Sequence, residues 1–244
     1  MKLLPFSAAT LRLALLDGWR LALATWRASA VYALPFAVAD ALILGGLLAA
    51  GLAPFAIAAA GAFLLLCPIL LAGFYGIAAA HEAGQAVTGA AALNGFRRAA
   101  PALWALALVC VLLFMIFVSD AAILYGYMLG GAPVRLFERP ADPGMVARFL
   151  LWSGASGLFV AGILFPVAVF AAPLLCERRA DLVGAVAASV RAVFANFAPA
   201  MLWALLLAAV LLGSCLLPPL LPLTLPWLAH ASRALCRRLL PADC

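Results

Sequence analysis

Five times this chain runs for about 20 residues or more with no more than one charged side chain, the length that a helix needs to cross a bilayer. Inside lipid, backbone N–H and C=O groups must be paired within their own segment, which leaves helices or closed barrels. Unbroken apolar runs of this length have no strand alternation, so the helix is the element imposed. A sixth apolar stretch, shorter and proline-rich, follows the last long one. The expected fold class is therefore an all-α membrane protein, a six-transmembrane-helix bundle. Its spans fall at about 28–52, 55–80, 101–129, 146–175, 198–216 and 220–235.

Composition excludes the soluble alternative. The chain is 69% hydrophobic and 10% charged, whereas soluble domains are roughly half apolar and about a quarter charged. Three regions are expected: an N-terminal interfacial helix over residues 1–27, a membrane domain over 28–240, and a short cytoplasmic tail over 241–244. In the first region Arg12, Asp17, Arg20 and Arg27 alternate with leucines, Trp19 and Trp26 at helical spacing, the pattern of a helix lying at headgroup depth. Arg12 and Asp17 also interrupt the apolar stretch that a cleaved signal peptide would need.

Two further surface helices are expected in His81–Ala100 and Glu177–Phe197, and a turn-rich polar loop in Gly130–Met145. Cys67-Pro68 is expected to kink the second span. Pro218-Pro219 forces a turn after the fifth, because neither proline can continue the helical ladder. A re-entrant hairpin of the last two segments is the alternative reading there. Gly126 with Gly130, and Gly154, Gly157 and Gly162, are candidate close-packing positions. Tyr125 and Tyr127 are candidate interface anchors.

Basic residues give the orientation. Twelve of fifteen fall in the N-terminal region, the second-to-third and fourth-to-fifth connections and the C-terminal end; only Arg135, Arg139 and Arg148 fall on the other side. The positive-inside rule then puts both termini in the cytoplasm, which demands an even span count. With this explanation of the net charge of +6, nucleic acid is not an expected partner. Lys2 is the only lysine, and an arginine- and alanine-rich composition points to a high-GC bacterial gene.

The chain also repeats itself. Gly18–Leu34 aligns with Ser189–Leu205 so that Arg20 meets Arg191, Trp26 meets Phe197 and Tyr32 meets Trp203. Pro101–Leu113 matches Pro199–Leu212, and His81-Glu82 lines up with Cys176-Glu177. The unit is a surface helix followed by two spans, a three-fold internal repeat of helix hairpins.

The C-terminal third carries FPVAVFAAPLLCERRADLVGAVAASVRAVFANFAPAMLWALLL, then LTLPWLAHASRALCRRLL. With CPILLAGFYGIAAAHEAGQAV and ILYGYMLGG upstream, this pattern resembles the bacterial predicted integral membrane proteins of domain of unknown function 2189, over most of residues 15–240. The resemblance implies six helices and an inner-membrane location. It implies no activity, cofactor or catalytic residue.

Few residues offer chemistry. Asp40 and Asp120 lie inside spans, where a carboxylate costs about 2.5–3.5 kcal/mol, so they are candidates for a substrate or proton path. His81 and His230 read as solvated helix-end residues rather than ligands of a metal or haem. The cysteines form no CxxC pair, and no metal, cofactor or disulfide framework is expected. Catalytic signatures such as GxGxxG, HExxH and GxSxG are absent from the sequence. Trp19, Arg20, Trp26, Arg97, Arg98, Arg191 and Phe197 are the expected contacts to the membrane interface or a partner. The functional expectation is a non-catalytic accessory, scaffold or assembly subunit of a larger membrane complex, for example a respiratory one. Its partners would be the lipid bilayer and other membrane subunits or copies of itself. The alternative is a small-molecule or ion transporter using Asp40.

Overall fold

The computed structural model describes residues 4–130 and 142–241, with the backbone alone for residues 57–58 and 61–68. The expected cytoplasmic Lys2, the opposite-side Arg135 and Arg139, most of the Gly130–Met145 loop, the Cys67-Pro68 side chains and the last tail residues lie outside that description. Every regular element among the described residues is helical.

Helix α1 (Ala8–Ala24) starts at Ser7, whose hydroxyl accepts from the Thr10 N–H. Thr25 alone separates it from α2 (Trp26–Ala49), and the Thr25 hydroxyl donates to the Leu21 carbonyl at 2.8 Å. Next come α3 (Ala53–Glu82), α4 (Gly89–Arg98) and α5 (Ala102–Leu129). Gly130, at φ 60°, ends α5 in the left-handed conformation that glycine adopts most easily. Asp142 caps α6 (Pro143–Ala168), accepting from the Met145 N–H. The short α7 (Ala171–Cys176) precedes α8 (Leu182–Ala195), which Asp181 caps through the Gly184 N–H. Then α9 (Phe197–Leu216), a 3-10 turn at Pro218–Leu220 and α10 (Leu221–Leu239) complete the chain.

Four stretches among the described residues are long and apolar enough to cross a membrane: Trp26–Ala49, Ala102–Leu129, Pro143–Cys176 and Phe197–Leu216. They coincide with the expected first, third, fourth and fifth spans. The expected second span is the 30-residue α3. The expected sixth corresponds to the 19-residue α10, whose last turns carry His230, Arg233, Arg237 and Arg238.

The fourth apolar stretch is not one rod. Pro173 has no N–H to give the Val169 carbonyl and its ring would collide with it, so the helix breaks before Phe170. Ser189 on α8 compensates: its hydroxyl donates to the Pro166 carbonyl at 2.6 Å and accepts from the Phe170 N–H at 3.1 Å.

α10 is the helix the others wrap. It packs on α1, α2, α3, α7 and α9, and buries Leu221, Leu225, Leu228, Ala231, Leu235 and Leu239. Its closest neighbour is α1, where a Cβ on Gly18 would lie 2.5 Å from the Ala231 nitrogen. Another tight crossing joins α3 to α4. A Cβ on Gly95 would sit 2.0 Å from the Ala72 carbonyl oxygen, and one on Gly76 would sit 2.2 Å from that of Ala91.

These are not the glycines that spacing singled out. Gly126, Gly130, Gly154 and Gly162 have nothing within 4 Å of a built Cβ; of that set only Gly157, against Phe117, packs closely. A GxxxG pattern needs a facing helix, and these positions lack one among the described residues. Tyr125 is likewise no interface anchor: it is buried, edge-on to Phe55 and Phe149, while Tyr127 is 87% exposed.

The segment joints gather at one end. The Leu4 N–H donates to the Leu239 carbonyl, Phe6 N–H to the Asn196 side chain, and Ala100 N–H to the Leu175 carbonyl. The chain start, the α4–α5 joint, the end of α7, the α8–α9 joint and the end of α10 therefore meet.

Gly95→Val should lower thermal stability in detergent by about 2 kcal/mol or more, because the obstructing atom is backbone and cannot move aside. Gly126→Val, facing open space, should change it by less than about 0.5 kcal/mol. Equal effects on the unfolding midpoint would disprove the α3–α4 crossing.

Candidate functional site

At this gathered end the helix termini line an open cavity of about 1020 Å³. Six arginines line it, Arg97, Arg98, Arg178, Arg179, Arg233 and Arg237, together with Glu82 and Glu177. Each reaches it for a local reason. Arg97 and Arg98 occupy the last turn of α4, where a cation suits the helix dipole. Glu82 ends α3, and Glu177 follows α7 directly. Arg233 and Arg237 lie four apart on α10, hence on one face.

The α10 pair grips both carboxylates. Arg233 binds Glu82 with two parallel hydrogen bonds, Nη1 to Oε1 at 2.6 Å and Nη2 to Oε2 at 2.9 Å, and gives Nε to Glu177 at 2.8 Å. Such forked, charge-assisted bonds are the strong kind. Arg237 repeats the contacts one turn on, Nε to Glu177 at 2.9 Å and Nη1 to Glu82 at 3.1 Å. Arg233 is buried, whereas Arg237 is about half exposed. Burial opposes ionisation of the Glu82 carboxyl. The hydrogen bonds and charge of Arg233, with those of Arg237, outweigh it and hold Glu82 below its ordinary 4.5.

The remaining arginines are differently occupied. Arg178 has φ 53°, a left-handed conformation rarely taken by a side-chain-bearing residue. It sits where a helix end usually places glycine, and its guanidinium donates to the Arg97 and Ala99 carbonyls at 3.4 and 3.3 Å. Arg179 donates to the Leu240 carbonyl and lies 3.8 Å from Glu177. Arg97 and Arg98 are exposed and make no side-chain hydrogen bond or ion pair among the described residues. With both glutamates engaged by the α10 pair, the cavity keeps an excess of four positive charges.

Tyr75 completes the wall. It is 4% exposed, its ring lies under the Arg233 guanidinium at 5.8 Å, and its hydroxyl has no hydrogen-bond partner among the described residues.

Of the residues singled out from sequence, the structure brings Arg97 and Arg98 into this cavity. Arg191 lines a smaller neighbouring one, of about 400 Å³, with Arg179 and Asp181. Trp19, Arg20, Trp26 and Phe197 are exposed elsewhere: Trp19 is edge-on to Trp227, Arg20 lies 4.0 Å from Asp17, and Trp26 lies beneath Arg27. Asp40 and Asp120 are not brought together. Asp40 on α2 has the Cys215 thiol of α9 as its hydrogen-bond partner, with Oδ2 buried and unpaired. Asp120 on α5 accepts from the Ser156 hydroxyl of α6 at 2.5 Å.

His230 departs from expectation. It is not a solvated helix-end residue but 1% exposed, edge-on to Phe74, with neither ring nitrogen hydrogen-bonded. Its position on the inner face of α10, one turn before Arg233, buries it. His81 is exposed as expected. Among the described residues no three His, Cys, Asp or Glu side chains stand close enough to hold a metal ion.

Sequence reading used Arg178, Arg179, Arg233 and Arg237 only to count charge by side, and missed Tyr75. One signal was present: the repeat aligned Glu82 with Glu177, and these are the two carboxylates that share Arg233.

Comparison with known proteins gives one match. The family model for a predicted integral membrane protein, DUF2189, covers residues 55–177, half of the chain. It includes Tyr75, Glu82, Arg97, Arg98 and Glu177, and ends before α10. No curated protein and no solved structure matches.

Arg233→Met should cost about 3 kcal/mol of stability, because it leaves two carboxylates without their shared buried partner. Arg237→Met, on an exposed pair, should cost under about 1 kcal/mol. Thermal unfolding of the two variants in one detergent checks the order, and a larger loss at Arg237 would refute the assignment.

A carboxyl held below its ordinary value adds stability above that value and loses it as pH falls through the lowered one. The unfolding midpoint should therefore drop as pH is taken below 4.5. Glu82→Gln should flatten that acid limb; an unchanged slope would remove Glu82 as its source.

Proposed function

The chain belongs to the DUF2189 family of predicted integral membrane proteins, and we propose on that premise a non-catalytic accessory, scaffold or assembly subunit of a larger membrane complex. Its setting is the bacterial inner membrane, crossed six times, with both termini cytoplasmic. The gathered end supports the count. The hydrogen bonds of Leu4 to Leu239, Phe6 to Asn196 and Ala100 to Leu175 tie the chain back to one side after each pair of long helices. Three returns fit three hairpins, α2–α3, α5–α6 and α9–α10, each after a shorter helix, and fit the three-fold repeat. The gathered end is also the arginine-rich one, which the positive-inside rule assigns to the cytoplasm.

One observation carries the accessory reading over the transporter. Asp40 and Asp120 are held singly on separate helix pairs, by Cys215 and by Ser156, while the arginine-lined cavity lies at the helix ends. Outward faces of the spans present Leu42, Leu108, Ile123, Leu151 and Leu158, which lipid or another membrane subunit would cover. The unpaired Oδ2 of Asp40 is what favours the second reading, a proton or ion path.

Affinity purification from native membranes in mild detergent, followed by mass spectrometry, should recover a second polypeptide in fixed stoichiometry. Asp40→Asn should leave that complex intact and shift stability by less than about 0.5 kcal/mol. A chain that purifies alone, moves protons or ions in proteoliposomes and loses that flux with Asp40→Asn would overturn the accessory role.

A further inference from the structure

Among the polar groups that line the cavity at the basic end, the six arginines and Tyr75 are hydrogen-bond donors, set among small and apolar residues such as Gly76, Ala79 and Pro241. Among the described residues its carboxylates are Glu82 and Glu177, both engaged by Arg233 and Arg237. The side chains of Arg97 and Arg98 have no hydrogen-bond or ion-pair partner among the described residues. Arg178 and Arg179 hold backbone carbonyls through one terminal nitrogen each, and the other terminal nitrogen of Arg179 lies 3.8 Å from Glu177; the remaining N–H donors of the two guanidiniums are unspent. The buried Tyr75 hydroxyl has no acceptor either. A buried polar group without a partner is destabilising; an oxygen-rich anion in the cavity would supply what both the arginines and the phenol lack.

We propose that this cavity is a binding site for a phosphate group, carried by a lipid headgroup or by a soluble phosphate. The guanidinium fork matches phosphate oxygens in geometry and charge. Phosphate presents several acceptor oxygens, as a surface of donors from α4, the 178–179 turn and Tyr75 requires. At about 1020 Å³ the space exceeds what a bare ion fills and reaches the upper range of small-molecule pockets. The site lies where α4 meets α5. There Trp104 is 53% exposed and stacked on Phe96 at 6.2 Å, and exposed tryptophan at a span end marks headgroup depth. The inference goes beyond the accessory reading, since it holds whether or not the chain has a protein partner.

The test uses full-length protein stripped of lipid in detergent, with the unfolding midpoint titrated against three probes. These are phosphatidylglycerol, zwitterionic phosphatidylcholine and inorganic phosphate. A saturable rise with phosphatidylglycerol and not with phosphatidylcholine supports a lipid headgroup. The same rise with inorganic phosphate, competing with the lipid, supports a soluble phosphate.

Arg97→Ala with Arg98→Ala should weaken either interaction by about tenfold or more, the scale of one lost charge-assisted hydrogen bond. Tyr75→Phe is the sharper variant. Its hydroxyl bonds nothing in the protein, so the unliganded midpoint should hold or rise while the dissociation constant increases several-fold. Two results overturn the proposal: none of the probes shifts the midpoint, or Arg20→Ala with Arg27→Ala, outside the cavity, weakens binding as much as the Arg97 and Arg98 pair does.

Discussion

The buried guanidinium of Arg233 is the constraint on which the arrangement of helix ends depends. A cation 5% exposed is stable only if carboxylates surround it. Those come from two other places in the chain, Glu82 at the end of α3 and Glu177 at the end of α7. Satisfying one charge thus sets the relative height of three helices. Arg237, one turn on, closes the cluster to neutrality by binding the same two residues. The close approach of Gly18 to Ala231 fixes α10 against α1; the forked contact with Glu82 fixes it against α3, because both oxygens must meet both nitrogens.

The positions of long helices were readable because lipid imposes one rule on every span: enough apolar length and no unpaired backbone. That rule acts on the chain locally, so four of the expected spans coincide with apolar helices of crossing length. What was not readable depends on pairs of segments. The break at Val169–Phe170 follows from Pro173, but its repair by Ser189 comes from another helix. Gly126 and Gly130 have motif spacing and no facing helix, while Gly76 and Gly95 have no shared motif and touch across the α3–α4 crossing. His230 looked solvated beside Arg233 and Arg237, yet it occupies the inner face of α10 against Phe74. Charge in the sequence marks a helix as polar without saying which face points inward.

The same distinction governs the candidate site. Arg97 and Arg98 were identifiable as surface cations on α4, and the structure does leave them exposed. Their meeting with Arg178 and Arg179 was not, since the two segments are joined by carbonyl contacts formed in three dimensions. The alignment of Glu82 with Glu177 came nearest, because a repeated hairpin places repeated residues at equivalent heights.

Polar groups in this chain are handled in two ways. Within the spans they are few, and each of the two aspartates takes one small hydroxyl or thiol from the next helix, which satisfies part of the group at little cost in apolar packing. At the helix ends the residues are large cations. Topology alone would account for their number, and cations that serve only topology can stay in water, apart from one another. Here six converge on one cavity, with two carboxylates among the described residues to balance them. Convergence of like charges is unfavourable unless something offsets it. Arg178 adds an uncommon backbone conformation to the same location, and Tyr75 adds an unpaired hydroxyl. The Arg178 conformation belongs to the turn that ends α7; the other two costs, crowded cations and an unpaired hydroxyl, are ones that an anion with several oxygens would relieve.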